Sequence, residues 1–331
     1  MEKPKTNPTT TLPGRKRASK AKKTTSEDLG VYINLLTDFG FKRIFGIKEL
    51  MLHFLNTVLA QDLKNEIVDL HYENPERLGL TKYDRKAVYD LFCITGNGER
   101  IIVEIQAVPQ LYFKDRTLVY VSRLIQEQSK KGKEWDFMLH KIYSINILGF
   151  PLDYEVPALG EKVQKVEKEV DNKTEKFASY VQLIDRDTKQ LFYDKLTFVY
   201  IELKRFTKEL QDLKTFFEQW IFIIKHLHEL DNLPEKLHNE VFEKLFETAK
   251  IARMTKTEVN NYLKDLSDMN IVKNEIKARD RMIAERDNVI AVHVNALAQK
   301  DNVLAQKDNA LAEQANIIAE YQRRYGKLNY Q

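Results

Sequence analysis

Two carboxylates, Asp90 and Glu104, lie on consecutive strand-like segments of the sequence. The segments cover residues 87–95 and 99–106, are rich in β-branched and aromatic residues, and are joined by a Gly-Asn-Gly turn at 96–98. A Gly/Asn turn between two such runs predicts a β-hairpin. If the hairpin is centred on the Asn of the turn, Asp90 lies directly opposite Glu104, with Cβ atoms roughly 5 Å apart.

Facing carboxylates in apolar surroundings favour a divalent cation. Asp90 and Glu104 would repel each other and be poorly solvated, so the arrangement costs stability unless a positive group lies between them. Gln106 points to the same side of its strand as Glu104, because side chains alternate faces along a strand. Such oxygen ligands suit Mg²⁺, which keeps several waters and accepts a substrate phosphate oxygen. The pattern therefore indicates phosphodiester hydrolysis.

A plainer interpretation of the two carboxylates stays open. A lone Asp and a lone Glu in adjacent strands are usually solvent-facing edge residues that pair with Lys or Arg. A bulge in the turn would also shift the register by one residue, and Asp90 would then lie opposite a neighbour of Glu104. The positions of the two side chains in the folded hairpin distinguish these interpretations.

The segment after the hairpin is predicted to be a helix over about Phe113–Lys130. Its apolar residues recur at helical spacing and form one stripe: Leu118, Val121, Leu124 and Ile125. Arg116 and Tyr120 lie one turn apart on another face. Arg is bidentate toward phosphate and Tyr stacks or donates a hydrogen bond, so this face suits a phosphate backbone. The alternative is a solvated stripe in which Arg123 pairs with Glu127.

Length and composition limit the class of protein. The 331 residues, 43% of them hydrophobic, are enough for one substantial domain with appendages. A single cysteine, Cys93, excludes an internal disulfide framework and fits a reducing cytoplasm. No uninterrupted apolar run approaches the ~20 residues of a membrane helix, and the amino terminus lacks the apolar segment of a secretion signal. We therefore expect a cytoplasmic protein without a membrane partner.

Positive charge is concentrated at the amino terminus. Residues 1–26 carry eight Lys or Arg residues against one Glu, whereas the whole chain has a formal net charge of +4. The rest of the chain is therefore net acidic, and its affinity for nucleic acid must come from a local patch. Residues 1–28 are predicted to be a disordered basic tail. This tail either tethers DNA non-specifically or acts as a plain solubilising leader.

The carboxy-terminal part of the chain repeats every seven residues. Large apolar residues recur at one position of the repeat, namely Ile283, Ile290, Leu297, Leu304, Leu311 and Ile318. A sustained seven-residue period predicts a long helix, here over residues 276–325, that pairs with a second copy as a coiled coil. A two-stranded coiled coil needs a second apolar position in each repeat, and that position is occupied here by Lys, Asp or Gln. The coiled coil would therefore be weak. The alternative is a low-complexity tail expanded by duplication.

Several short motifs occur in a fixed order along the chain. They begin with Thr37-Asp38-Phe39-Gly40-Phe41-Lys42-Arg43-Ile44-Phe45-Gly46, Leu52-His53-Phe54-Leu55-Asn56, Tyr89-Asp90-Leu91 and Val103-Glu104-Ile105-Gln106. Arg116 and Tyr120 come next, and the strand-like Tyr200-Ile201-Glu202-Leu203-Lys204-Arg205-Phe206 is the last. From about Asn34 to Phe206, their order and spacing resemble the PD-(D/E)XK nuclease family transposases, also called recombination-promoting nucleases.

The resemblance implies roles for the residues of the hairpin. Asp90 and Glu104 would be the metal carboxylates, and Gln106 would stand where the superfamily usually has a lysine. That lysine orients the attacking water and offsets developing negative charge, whereas Gln hydrogen-bonds water but supplies no charge. Gln at this position is typical of this branch of the superfamily. A positive charge would then come from Lys42 on the first helix or from Arg116.

Two further roles follow from the resemblance. Asp38 would contribute a carboxylate to the metal through water. Alternatively, Asp38 is the N-cap of the helix that contains Phe41 and Ile44, since Asp is a favoured cap. Arg116 and Tyr120 would contact the nucleic acid.

The implied fold is α/β, with a restriction-endonuclease-like core in which a central mixed β-sheet is flanked by helices. The residues agree with it, because predicted strands and helices are interspersed. The strands after the hairpin are expected at Ile142–Leu148, Tyr180–Ile184 and Thr197–Leu203. A carboxy-terminal helical region follows, and the predicted domains are the tail (1–28), the nuclease-like domain (29–206), a helical appendage (207–275) and the heptad-repeat helix (276–331).

The sequence thus predicts a metal-dependent DNA endonuclease, with Mg²⁺ or another divalent cation as cofactor and DNA as partner. The family name implies that cleavage promotes recombination. Two other functions stay open. A catalytically degenerate nuclease fold would bind DNA or regulate without cleaving it. An oligomeric scaffold organised by the heptad-repeat helix would lose its activity without residues 276–331 but keep it in an Asp90→Ala variant.

Overall fold

A six-stranded sheet forms the centre of the fold. The structure, a computed structural model, describes residues 29–77, 87–110, 112–129, 136–152 and 176–326, and the predicted basic tail lies outside them. The strands are β1 (Leu70–Tyr72), β2 (Glu76–Arg77), β3 (Ala87–Val88), β4 (Leu91–Thr95), β5 (Arg100–Gln106), β6 (Ile142–Leu148), β7 (Ala178–Ile184) and β8 (Leu191–Glu202). The α-helices are α1 (Asp38–Phe45), α2 (Lys48–Val58), α3 (Phe113–Gln128), α4 (Phe216–His226), α5 (Glu240–Ala249) and α6 (Lys256–Tyr325).

The sheet is mixed. Its strands lie in the order β1-β4-β5-β6-β8-β7, while β2 and β3 form a separate pair. The central strands β5, β6 and β8 run parallel, and the outer strands pair antiparallel to their neighbours. All seven residues of β6 are buried, as expected for a central strand covered on both faces. The predicted α/β fold with a central mixed sheet is confirmed.

Alternate residues of the central strands face two separate apolar clusters. On one face, Val103 and Ile145 pack with the helices α1, α2, α4 and α5. On the other face, Ile102 and Phe198 pack with α3. Helix α3 is therefore the element that covers the face on which Glu104 lies, because Glu104 and Ile102 are two residues apart on β5.

The hairpin of β4 and β5 has the predicted register. Leu91 pairs with Val103, and the same register extended by one residue places Asp90 opposite Glu104. Gly98 completes the turn with a φ of +82°, a left-handed conformation that glycine adopts without strain. The turn therefore introduces no bulge that would shift the two carboxylates.

The predicted strand over residues 87–95 is interrupted. Tyr89 and Asp90 separate β3 from β4. Tyr89 is fully buried and packs edge-on against Tyr120 of α3, with ring centroids 5.1 Å apart. Asp90 does not continue the strand, because its backbone N–H donates to a side chain. The interruption lies at the position where the sequence places a functional carboxylate.

The structure corrects one alternative for the start of α1. Thr37, not Asp38, is the N-cap, and its hydroxyl accepts a hydrogen bond of 3.0 Å from the backbone N–H of Gly40. Thr is also a favoured N-cap residue. Asp38 is the first residue of the helix and leaves its carboxylate exposed.

The inner face of α3 differs from the predicted stripe by one residue. Val121 and Leu124 are buried as predicted, but Leu118 is 56% exposed and Thr117 is buried in its place. The buried residues Phe113, Thr117, Val121 and Leu124 are spaced by four, four and three residues, which keeps them on one face. Leu118 lies 100° around the helix from Thr117 and so points away from the sheet.

The carboxy-terminal region is helical, as predicted. Helix α4 begins with a capping box formed by Thr215 and Glu218, later than the predicted start at Thr207. A capping box of Thr255 and Glu258 is present at the start of α6. Helix α6 continues without a break through the heptad repeat. The described chain divides into two compact units, one up to residue 266 and one from residue 267. The four predicted domains stay a prediction.

None of the described helices combines the length and the apolar content needed to cross a lipid bilayer.

Trp220 is the side chain in the packed helices whose truncation we expect to lower the stability of the protein most. It is fully buried, contacts Phe45 and Phe242, and donates a 2.8 Å hydrogen bond to Nδ1 of His53. Burial lowers the pKa of His53, which keeps its ring neutral and able to accept. We expect Trp220→Ala to lower the free energy of unfolding by about 4 kcal/mol. Urea denaturation measures this, and an equal loss in Phe216→Ala, which truncates a half-exposed ring, would contradict it.

Candidate active site

Asp90 and Glu104 hold each other through the backbone. The N–H of Asp90 donates a 3.0 Å hydrogen bond to Oε1 of Glu104, and the N–H of Ile105 donates a 2.7 Å bond to Oδ2 of Asp90. Each carboxylate therefore accepts a backbone N–H from the opposite arm of the hairpin. This reciprocal bonding fixes both side chains on one side of the hairpin. It also excludes the interpretation that they are independent edge residues.

Glu104 is removed from water and Asp90 is half-buried. Glu104 is 1% exposed, and burial, followed by the nearby charge of Asp90, raises the pKa of Glu104. Burial likewise raises the pKa of Asp90, although the hydrogen bond from Ile105 opposes the shift. Raised pKa values mean that this pocket favours neutral carboxyls over bare carboxylates. A cation that neutralises the pair would reverse that preference.

Arg116 supplies the positive charge next to the pair. One of its terminal nitrogens, Nη2, lies 3.4 Å from Oε2 of Glu104, and its Nε donates a 2.8 Å hydrogen bond to the hydroxyl of Tyr120. The guanidinium also lies over the Tyr120 ring, 4.9 Å from its centroid. The other terminal nitrogen donates to Gln110, whose amide donates in turn to Gln106. Helix α3 thus positions a partly exposed cation at the edge of the carboxylates.

Asp38 and Lys42 lie close to the site but pair with each other. Their side chains are 2.8 Å apart, one turn apart on α1, and both are exposed. The charge of Asp38 raises the pKa of Asp90 and the charge of Lys42 lowers it. Within the described residues, no hydrogen bond or ion pair joins either of them to Glu104 or Gln106. The structure therefore brings together five of the predicted site residues and keeps this pair at the margin.

Two polar residues of the site were not predicted from the sequence. Gln110 links Gln106 to Arg116 and lies in the segment between β5 and α3, where no periodic pattern draws attention to it. Asn146 lies beside Glu104 on the neighbouring strand β6 and is fully buried. Its Oδ1 has no hydrogen-bond partner among the described residues. The signal that was available was an amide side chain in β6, a strand whose other residues are apolar or aromatic apart from Ser144.

The donor set fits a metal that needs few protein ligands. Nowhere in the described parts of the chain do three or more His, Cys, Asp or Glu side chains lie close enough to hold a metal ion. The available donors are the oxygens of Asp90 and Glu104, with the amide oxygen of Gln106 on the same strand face. Mg²⁺ is commonly bound by one or two carboxylates and keeps several waters. Two adjacent carboxylates of raised pKa therefore fit Mg²⁺, which keeps waters as its other ligands, and do not fit a metal whose ligands all come from the protein.

Comparisons with known proteins give one result. No curated protein and no solved structure matches the chain. A family model described as "PD-(D/E)XK nuclease family transposase" matches residues 35–278, which is more than half of the chain. The match includes β4, β5 and α3, the three elements that position the carboxylates and Arg116. The chain therefore belongs to the PD-(D/E)XK nuclease family transposases.

Proposed function

We propose that the protein is a metal-dependent endonuclease that hydrolyses phosphodiester bonds in DNA. The observation that carries this proposal is the reciprocal hydrogen bonding of the half-buried Asp90 and the buried Glu104, directly beside the Arg116 guanidinium. A carboxylate pair of this kind is costly for the fold, so a function that uses its affinity for a cation explains why the chain maintains it. Membership of the family supports a nuclease-like activity.

Asp90 and Glu104 would hold the metal. When bound, Mg²⁺ supplies an activated water and stabilises the charge that develops on phosphate. Gln106, on the same strand face as Glu104, would hydrogen-bond the attacking water and orient it. Asp38 would add a carboxylate through water, since its side chain is exposed near Asp90.

Arg116 would supply the positive charge that the neutral Gln106 cannot. The Arg116 side chain is 32% exposed, and one of its guanidinium nitrogens lies beside Glu104. The guanidinium is therefore accessible both to the carboxylates and to a phosphate that approaches from solvent. Arg binds phosphate in a bidentate manner. Tyr120 orients the guanidinium through its hydroxyl and would contact the nucleic acid. Lys42 would contribute a second cation once Asp38 turns to the metal.

One observation favours a second function. Gln106 is neutral, and both its amide and Arg116 are joined to Gln110. A nuclease fold without a lysine at this position would bind DNA through Arg116 and Tyr120 without cleaving it. Such a module would regulate recombination or another process on DNA, whereas the proposed nuclease would promote recombination by cutting.

Cleavage of supercoiled plasmid distinguishes the two functions. We expect the purified protein to nick the plasmid with Mg²⁺, but not with Ca²⁺ or with a chelator, because Ca²⁺ takes longer and less regular oxygen coordination. Glu104→Gln, which keeps the shape of the side chain, should abolish nicking when purified in the same way. Retained nicking in this variant would assign the activity to another site or to a contaminant. Intact plasmid under all conditions, with DNA still bound, would favour the non-catalytic module.

A further inference from the structure

Helix α6 presents a continuous apolar line that nothing in the described chain covers. The line consists of one residue per heptad: Ile276, Ile283, Ile290, Leu297, Leu304, Leu311 and Ile318. From Ile290 onward each of these side chains is between 45% and 62% exposed. We call these seven residues the repeat seam. An exposed apolar line of this length marks an interaction surface.

The period of the repeat seam identifies the kind of partner. A straight α-helix completes two turns in 7.2 residues, so a strict seven-residue line winds slowly around the helix. Only a partner that supercoils with the same period follows such a line over six successive heptads. A second copy of α6 has the same seven-residue period because it has the same sequence, whereas the surface of a globular protein has no such period.

The charges beside the repeat seam select the orientation of the two copies. In four of the first five repeats, the residue three positions after the seam residue is Lys or Arg, and the residue four positions after it is Asp. The basic set is Arg279, Arg286, Lys300 and Lys307, and the acidic set is Asp280, Asp287, Asp301 and Asp308. At 3.5 residues per turn, the basic set lies about 50° to one side of the seam and the acidic set about 50° to the other.

Two parallel helices related by a twofold axis along their length place the basic side of one against the acidic side of the other. Lys300 of one chain then meets Asp301 of the other, and the same holds on the second side of the seam. Two antiparallel helices place basic against basic and acidic against acidic. Within the described chain, Lys300, Asp301, Lys307 and Asp308 form no ion pair, so their charges are available to a partner.

We propose that the chain forms a parallel two-stranded coiled coil through the repeat seam, with Lys and Arg of each copy paired to Asp of the other. The apolar residues supply the contact and the flanking charges supply its orientation and register. In such a pair both chains enter α6 from the same end. The proposal is independent of the nuclease activity.

Light scattering of the full chain, coupled to size exclusion, tests whether a dimer forms. We expect a dimer whose dissociation constant rises at least about tenfold in Lys300→Asp/Lys307→Asp, because like charges then face each other along the seam. Asn288, Asn295, Asn302 and Asn309 lie opposite the seam, and changing all four to Asp alters the net charge by the same amount. This control should leave the dissociation constant within about twofold of the original.

A charge exchange tests the pairing directly. Asp301→Lys/Asp308→Lys should weaken its own dimer, yet a mixture of this variant with Lys300→Asp/Lys307→Asp should restore association. A monomer at every concentration would overturn the proposal. A dimer whose dissociation constant changes equally in the Lys or Asp variants and in the Asn control would also overturn it.

Engineered cysteines decide the orientation. In a parallel pair the two copies of residue 311 are adjacent, so Leu311→Cys should form a disulfide-linked dimer on mild oxidation. In an antiparallel pair centred on Leu297, Leu311→Cys would instead link to Ile283→Cys in a mixture of the two variants. The native Cys93 is buried and does not compete. Crosslinking seen only in the mixture would overturn the parallel arrangement.

Discussion

Asp90→Asn is expected to abolish cleavage and, in the absence of metal, to make the protein more stable. The substitution removes one of the two proposed metal carboxylates, and we expect the rate of plasmid cleavage to fall at least about 1000-fold. The amide keeps an oxygen that accepts the hydrogen bond from Ile105. It carries no charge, however, so the buried hairpin is relieved of a carboxylate that burial disfavours.

The pH dependence of this stabilisation follows from the direction of the pKa shift. The pKa of Asp90 is raised in the folded protein, so the folded state binds its proton more tightly than the unfolded state does. The protonated Asp90 carboxyl therefore makes its full contribution to stability below the ordinary pKa of an aspartate. This contribution is lost as the pH rises through the higher pKa of the folded state. Asp90→Asn does not titrate. Its advantage over the original chain should be absent near pH 4 and reach on the order of 2 kcal/mol at neutral pH.

Urea denaturation at pH 4 and pH 7 with a chelator measures this difference. Glu202→Gln is the control, because Glu202 is a buried carboxylate that accepts hydrogen bonds from Arg205 and from the backbone of Leu152. Replacing it should lower stability, since a charge-assisted hydrogen bond is weakened. Mg²⁺ should stabilise the original chain and not Asp90→Asn. A destabilised Asp90→Asn, or one that Mg²⁺ stabilises equally, would contradict the metal site.

Arg116→Gln is expected to lower the cleavage rate about 100-fold, the size of effect seen when one donor to a developing anion is removed. Arg116→Lys should recover only part of this rate, because an ammonium restores the charge but not the bidentate geometry. Arg123→Gln is the matched control on the same helix, and it should keep the rate within about twofold.

The dependence on Mg²⁺ concentration separates two roles of Arg116. If the guanidinium contacts the phosphate, the rate of Arg116→Gln stays low at saturating Mg²⁺. If it serves only to hold Glu104, at 3.4 Å, the loss appears as a weaker affinity for Mg²⁺ and disappears when the metal saturates. Full recovery at high Mg²⁺ would therefore remove Arg116 from the set of residues that contact DNA.

The parts of the structure that follow from sequence alone are those specified over short distances along the chain. The Gly-Asn-Gly turn sets the pairing of β4 with β5, and the opposition of Asp90 and Glu104 follows from it because side chains alternate along a strand. The Thr255 capping box and the seven-residue period predict α6 in the same local way. Arg116 and Tyr120 share a face because they are one helical turn apart.

Other features depend on which distant segments meet, and no local pattern specifies them. Asn146 lies beside Glu104 because β5 and β6 pair in parallel, with α3 as the crossover helix between them. Neither strand's sequence specifies which strand it pairs with. The burial of Thr117 and the exposure of Leu118 follow from the angle at which α3 rests on the sheet, and both residues fit a helix equally well. Gln110 joins the site only because the segment before α3 brings it between Gln106 and Arg116. Contacts between segments that are far apart in sequence are made by packing, and packing is a property of the folded chain.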